Sequence, residues 1–112
     1  MNIIDIKMII VNLLKEDKKT YLSVNRLQEL ISFIYDELSK ENQLDKYRIC
    51  FDVNFDAIER TVLYNNSIFK LDIDGEMIYL RENNNVENLV EKYRTDEKIT
   101  EIIYNFVNFT AA

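Results

Sequence analysis

Asp72, Asp74 and Glu76 alternate around Gly75, the only glycine among the 112 residues. Carboxylates two residues apart on a strand project together, which is the start of a cation site, but a calcium loop needs more oxygens and a longer spacing. Asp74-Gly75 is also the dipeptide that tight hairpin turns favour, because glycine reaches a positive φ without steric cost. The turn therefore explains these residues without a metal. The single cysteine, Cys50, cannot form an internal disulfide, and its setting between Ile49 and Phe51 suggests a small buried apolar residue rather than a nucleophile. There is no histidine, which removes the commonest general base, the commonest metal ligand and every histidine-based triad. One glycine cannot build a phosphate-cradling loop or a dinucleotide turn. The expectation is a protein with no catalytic residues, no metal and no cofactor, hence not an enzyme.

Charge sets the next limit. Twenty acidic residues face 14 basic ones, for a net charge of −6, which opposes non-specific attraction to phosphate backbones or anionic lipid. The local exception is Lys15, Lys18 and Lys19, with Arg26 nearby; three lysines at a helix end are usually solvated rather than phosphate-bound. No apolar run reaches the length of a membrane span, and neither a basic leader nor a small-residue cleavage site marks the N-terminus. A cytoplasmic setting without membrane contact is expected. The abundance of Asn, Ile and Lys suggests AT-rich coding, as in low-GC bacteria or their mobile elements.

The elements that would position these residues follow from periodicity. Ile3 to Glu16 reads as a helix whose polar Asp5, Asn12 and Glu16 share one narrow stripe. A very short strand over Thr20, Tyr21 and Leu22 leads to Ser23, the N-cap of a helix reaching about Glu41. That helix puts Val24, Leu27, Leu30, Ile31, Ile34, Tyr35 and Leu38 on one face, leaving Phe33 off it as an exposed aromatic. After a polar connection, Ile49 to Val53 reads as a strand, Asn54 as a cap and Phe55 to Tyr64 as a short helix ended by Asn65 and Asn66. Ile68 to Arg81 reads as a hairpin. Asn83, Asn84 and Asn85 form a polar hinge before a short helix with Val86, Leu89, Val90 and Tyr93 inward. A last helix from near Asp96 carries Ile99, Ile102, Ile103, Phe106, Val107 and Phe109 on a broad face.

Helix, brief strand, helix, short helix and hairpin is the element order of a winged helix. The stretch FDAIERTVLYNNSIFKLDIDGEMIYLR, Phe55 to Arg81, resembles the end of such a domain, and its spacing around Asp74-Gly75 is similar to the HARE-HTH group, which includes the acidic delta subunit of bacterial RNA polymerase. The likeness spans residues 1–82 in element order and only the last third of that span in residues. Glu41 to Val53 and the two C-terminal helices fall outside the pattern. Length, composition and periodicity point to a single domain over 1–112 with an α+β fold, mostly helical, carrying one β-hairpin and two additional C-terminal helices; the resemblance implies a winged-helix-like core at 1–82, which leaves 83–112 as a helical extension.

In a DNA reader the third helix would offer cations and amides to the duplex. Here it offers Asp56 and Glu59 beside one Arg60. The leading expectation is a non-enzymatic, acidic protein-binding module, a transcription accessory factor or a phage or mobile-element inhibitor, anti-CRISPR-like or antitoxin-like, whose partner has a basic surface. Its contact residues would be Phe33, Asp56, Glu59, Tyr104 and Phe109. The rival is a dimeric winged-helix transcriptional regulator that grips phosphates with Lys15, Lys18, Lys19, Arg26 and Arg60. A homodimer through the first or last helix is compatible with both.

Overall fold

The computed structural model describes residues 2–51, 67–72 and 74–110. The expected helix Phe55 to Tyr64, with its Asn54 cap, lies outside the described residues, as do Val53 and Ile73. What is described is an α+β fold, mostly helical.

The chain begins with a strand, β1 (Asn2–Ile4), where a helix was expected. The reason is Asp5. Its backbone is extended and its side chain accepts from Met8 N–H, so α1 (Ile6–Asp17) starts only after it. The β-branched Ile3 and Ile4 are left to pair in parallel with β3 (Tyr47–Ile49). The helix ends on Lys18, which adopts φ 58° and donates back to the carbonyls of Leu14 and Lys15.

Strand β2 (Tyr21–Ser23) runs into α2 (Val24–Lys40), and Ser23 caps it by accepting from Arg26 N–H at 3.0 Å. Leu27, Leu30, Ile31, Ile34 and Leu38 are fully buried along one stripe of α2, each contributing about 1.5–3 kcal/mol of burial. A 3-10 turn (Leu44–Lys46) then feeds β3. This strand sits earlier than the Ile49 to Val53 segment expected from β-propensity. Cys50 donates its N–H to the Ile4 carbonyl at 2.9 Å, which continues the extended backbone past β3. Alternation along that backbone turns Ile49 and Phe51 inward and leaves Cys50 exposed, the opposite of its expected burial.

The hairpin is present as β4 (Phe69–Leu71) and β5 (Met77–Leu80), and β2 joins it to give the antiparallel order β2-β5-β4. Gly75 has φ 69° and donates to the Asp72 carbonyl, while the Asp72 carboxylate accepts from the N–H groups of Glu76 and Met77. Asp72 therefore serves the turn. Among the described residues no group of three or more His, Cys, Asp or Glu could hold a metal ion.

The three consecutive asparagines do separate jobs. Asn83 takes φ 70°, Asn84 donates to the carbonyls of Ser67 and Arg81, and Asn85 caps α3 (Val86–Lys92). Asp96 then caps α4 (Glu97–Thr110) by accepting from Ile99 N–H at 2.9 Å. Its other oxygen accepts from the Tyr47 hydroxyl at 2.6 Å and from Asn2 Nδ2 at 2.9 Å, fastening α4 to β1 and β3. Burial first, and then this bond to Asp96, raise the Tyr47 pKa well above the ordinary tyrosine value.

Helices α3 and α4 are not appended to a finished core. Leu89, Ile99, Ile102, Ile103 and Phe106 belong to the same buried cluster as α1 and α2, and α4 packs against both of those helices. Asn12, part of the expected polar stripe of α1, is buried and donates to the carbonyls of Met8 and Tyr93, joining α1 to the end of α3. No described helix is long and apolar enough to cross a membrane.

Candidate functional site

Helices α2 and α4 run antiparallel. At one end the ion pair Lys98–Glu41 joins the start of α4 to the end of α2; at the other, Arg26 Nη1 donates to Thr110 Oγ1 at 3.0 Å. Arg26 also grips Asp17 with two bonds, Nε to Oδ2 at 2.7 Å and Nη2 to Oδ1 at 2.6 Å, and lies 5.1 Å from the centre of the Phe106 ring. The fork-to-carboxylate geometry supplies directionality as well as charge. The Asp17 bond, foremost, raises the Arg26 pKa further above its ordinary value.

That clamp sets the width of a groove of about 520 Å³ between the helices. Its α2 wall is Asn25, Gln28, Glu29, Ser32, Phe33 and Asp36, and its α4 wall is Phe106, Phe109 and Thr110. At 100° per residue the six α2 positions form one stripe along three turns. Phe33 and Phe106 meet with ring centres 5.6 Å apart, so Phe33 is half-buried under α4 rather than exposed. Phe109 is 82% exposed at the groove's mouth. Glu29 and Asp36, both exposed, give the groove two carboxylates, and its described lining residues include no basic one. Among the described residues neither Glu29 nor Asp36 takes part in an ion pair.

Of the residues singled out in the sequence, Phe33 and Phe109 are brought together here. Tyr104, 54% exposed, lies elsewhere on α4. Asp56, Glu59 and Arg60 lie outside the described residues. Glu29 and Asp36 were not singled out, because on α2 alone they are two charges of an ordinary solvated face. Their signal is the heptad spacing beside Phe33, which acquires meaning only once α4 is known to lie alongside.

The expected phosphate contacts divide between places. Arg26 is turned to Asp17 and Thr110. Lys15, Lys18 and Lys19 line a shallow hollow with Leu14, Thr20, Val86 and Glu87. Lys19 also stands 5.8 Å from the Tyr21 ring, at the edge of the open sheet face. On that face Tyr21, Tyr79 and Lys70 form one row across β2, β5 and β4, with the two tyrosine rings 6.2 Å apart. Beside the row is a hollow of about 740 Å³ where Lys70 and Arg81 are interleaved with Asp72 and Glu82. Arg81 Nε donates to the Phe69 carbonyl at 2.7 Å, so both Asp72 and Arg81 are committed to the hairpin backbone.

Comparison with protein-family models, curated proteins and solved structures finds no match.

Proposed function

We propose that this chain is a non-enzymatic protein-binding module of winged-helix-like build, docking a positively charged partner through the groove between α2 and α4. The carrying observation is the composition of that groove: three phenylalanines, one of them 82% exposed, beside two carboxylates, with no basic residue among its described lining residues and the neighbouring Arg26 turned to Asp17 and Thr110. An aromatic anchor next to an exposed charged rim is the arrangement from which interface hot spots are built. The net charge of −6 adds long-range attraction for a basic partner. The winged-helix character is supported by the element order α1, β2, α2 and the hairpin, together with the pairing of β2 onto β5. A protein of this kind serves as a transcription accessory factor, or as a phage or mobile-element inhibitor that covers a cationic groove meant for nucleic acid.

The test is affinity capture from a low-GC bacterial lysate by wild type and by Phe109→Asp, both verified as folded by thermal melting. A basic protein retained by wild type and released by added salt, but not retained by the variant, supports the assignment. Equal retention by the variant removes the groove from the function.

Nucleic-acid binding is the second candidate, favoured by the row Tyr21, Tyr79 and Lys70 with Lys19 at its edge, since paired aromatic rings with flanking cations can stack unpaired bases. Against it stand Asp72 and Glu82 beside the row and the acidic chain as a whole. Retardation of a single-stranded oligonucleotide at physiological salt, lost in Tyr21→Ala/Tyr79→Ala, would favour it.

A further inference from the structure

Glu29 and Asp36 stand seven residues apart on α2, two turns or about 10 Å along the axis, and fall on nearly the same side of the helix. Between them lies Phe33, with Phe106 and Phe109 supplied by the opposite wall. A groove with this order of groups, acid, aromatic, acid, has a definite complement. From it we infer that the occupant is an amphipathic helix of the partner carrying two basic residues a heptad apart, with a large apolar residue between them at i+3 or i+4. This rests on the protein-binding function proposed above and adds the register.

The geometry supports a helix over other occupants. A helix laid along α2 and α4 presents its own i, i+3/i+4, i+7 stripe at the same 10 Å repeat, so both carboxylates are met at once while the apolar residue enters between the phenylalanines. An extended strand covers the same distance in about three residues and would place a single side chain between the cations, too little to cover Phe33, Phe106 and Phe109. A second copy of the chain is disfavoured by charge. A two-fold contact through this groove sets the patch against itself, bringing Glu29 and Asp36 toward their own equivalents.

Two helical peptides of identical composition, each about four turns long, test the register. One carries Lys at i and i+7 around a Phe at i+4; the other carries the second Lys at i+5, which is 140° away around the helix. In titrations of isotope-labelled full-length protein, the heptad peptide is expected to bind about threefold tighter. Its shifts should centre on Glu29, Phe33, Asp36 and Phe109. Glu29→Lys/Asp36→Lys should abolish the preference, and a peptide with Glu at i and i+7 should restore it to that variant. Equal affinity for the two spacings, binding by neither, or shifts centred on Tyr21 and Tyr79 would overturn the inference. So would a self-associated state, seen in sedimentation, that Phe109→Asp dissociates. Any of these results together with partner capture that still depends on Phe109 removes only the helical register, whereas capture that survives Phe109→Asp removes the protein-binding function as well.

Discussion

The helical side and the sheet side of this molecule are held by different means. Helices α1 to α4 are fixed by side-chain links between distant parts of the chain: Asn12 to the Tyr93 carbonyl, Tyr47 and Asn2 to Asp96, Arg26 to Asp17 and Thr110. The sheet β2-β5-β4 shares the core through Leu22, Phe69, Leu71 and Ile78, but beyond that it is held by backbone pairing, with Asp72 and Arg81 reinforcing its turn and its edge. Side-chain links fix where surface groups stand relative to one another. The groove walls therefore meet at a set width with two exposed carboxylates and an exposed Phe109, whereas the sheet face interleaves charges of both signs. A preorganised surface loses less on binding, because its side chains are already ordered.

The sharpest way to break this contrast is to cut the shared element on each side. Phe106→Ala removes a ring that is both core and groove floor and should cost about 3–5 kcal/mol in denaturant unfolding. Tyr21→Ala on the open face should cost less than about 1 kcal/mol. Similar losses would mean that the two faces are equally built into the core.

Asn12→Ala comes next. It strands the Tyr93 carbonyl at the end of α3 and should cost about 1–3 kcal/mol by the same measurement. A neutral result would mean that α3 is not held through this bond.

Tyr47→Phe tests the latch on Asp96 and is expected to cost about 1 kcal/mol at neutral pH. The folded state raises the pKa of Tyr47, so its contribution is complete below about pH 10 and fades as pH climbs above that value, where the unfolded chain ionises first. Wild type should therefore lose more stability above about pH 10 than Tyr47→Phe does, as read from thermal melts across that range. Parallel pH profiles would detach the latch from the fold's stability.

Much of the framework was legible in the sequence because its signals are local. Ser23 and Asp96 announce the starts of α2 and α4, the buried stripe of α2 keeps its helical period, and Asp74-Gly75 marks the hairpin reversal. What escaped is non-local. Ile3 and Ile4 suit a helix by composition, and only the Asp5 cap together with a partner strand more than forty residues away makes them β1. Cys50 has apolar neighbours, yet alternation turns it outward. Phe33 faces away from the core stripe of α2, and nothing within α2 shows that Phe106 will cover it. The groove belongs to neither helix by itself, and so Glu29 and Asp36 had no distinguishing signal until α2 and α4 were paired.

The most direct test sets one face against the other with the partner that wild type captures. Affinity is measured for Glu29→Lys/Asp36→Lys and for Lys19→Glu/Lys70→Glu at rising salt, after melting curves confirm that each stays within about 0.5 kcal/mol of wild type. The groove assignment predicts at least about tenfold weaker binding and a flattened salt dependence for the first variant, with the second unchanged or slightly tighter. The reverse order, with the partner lost only when the sheet face is made acidic, would contradict it.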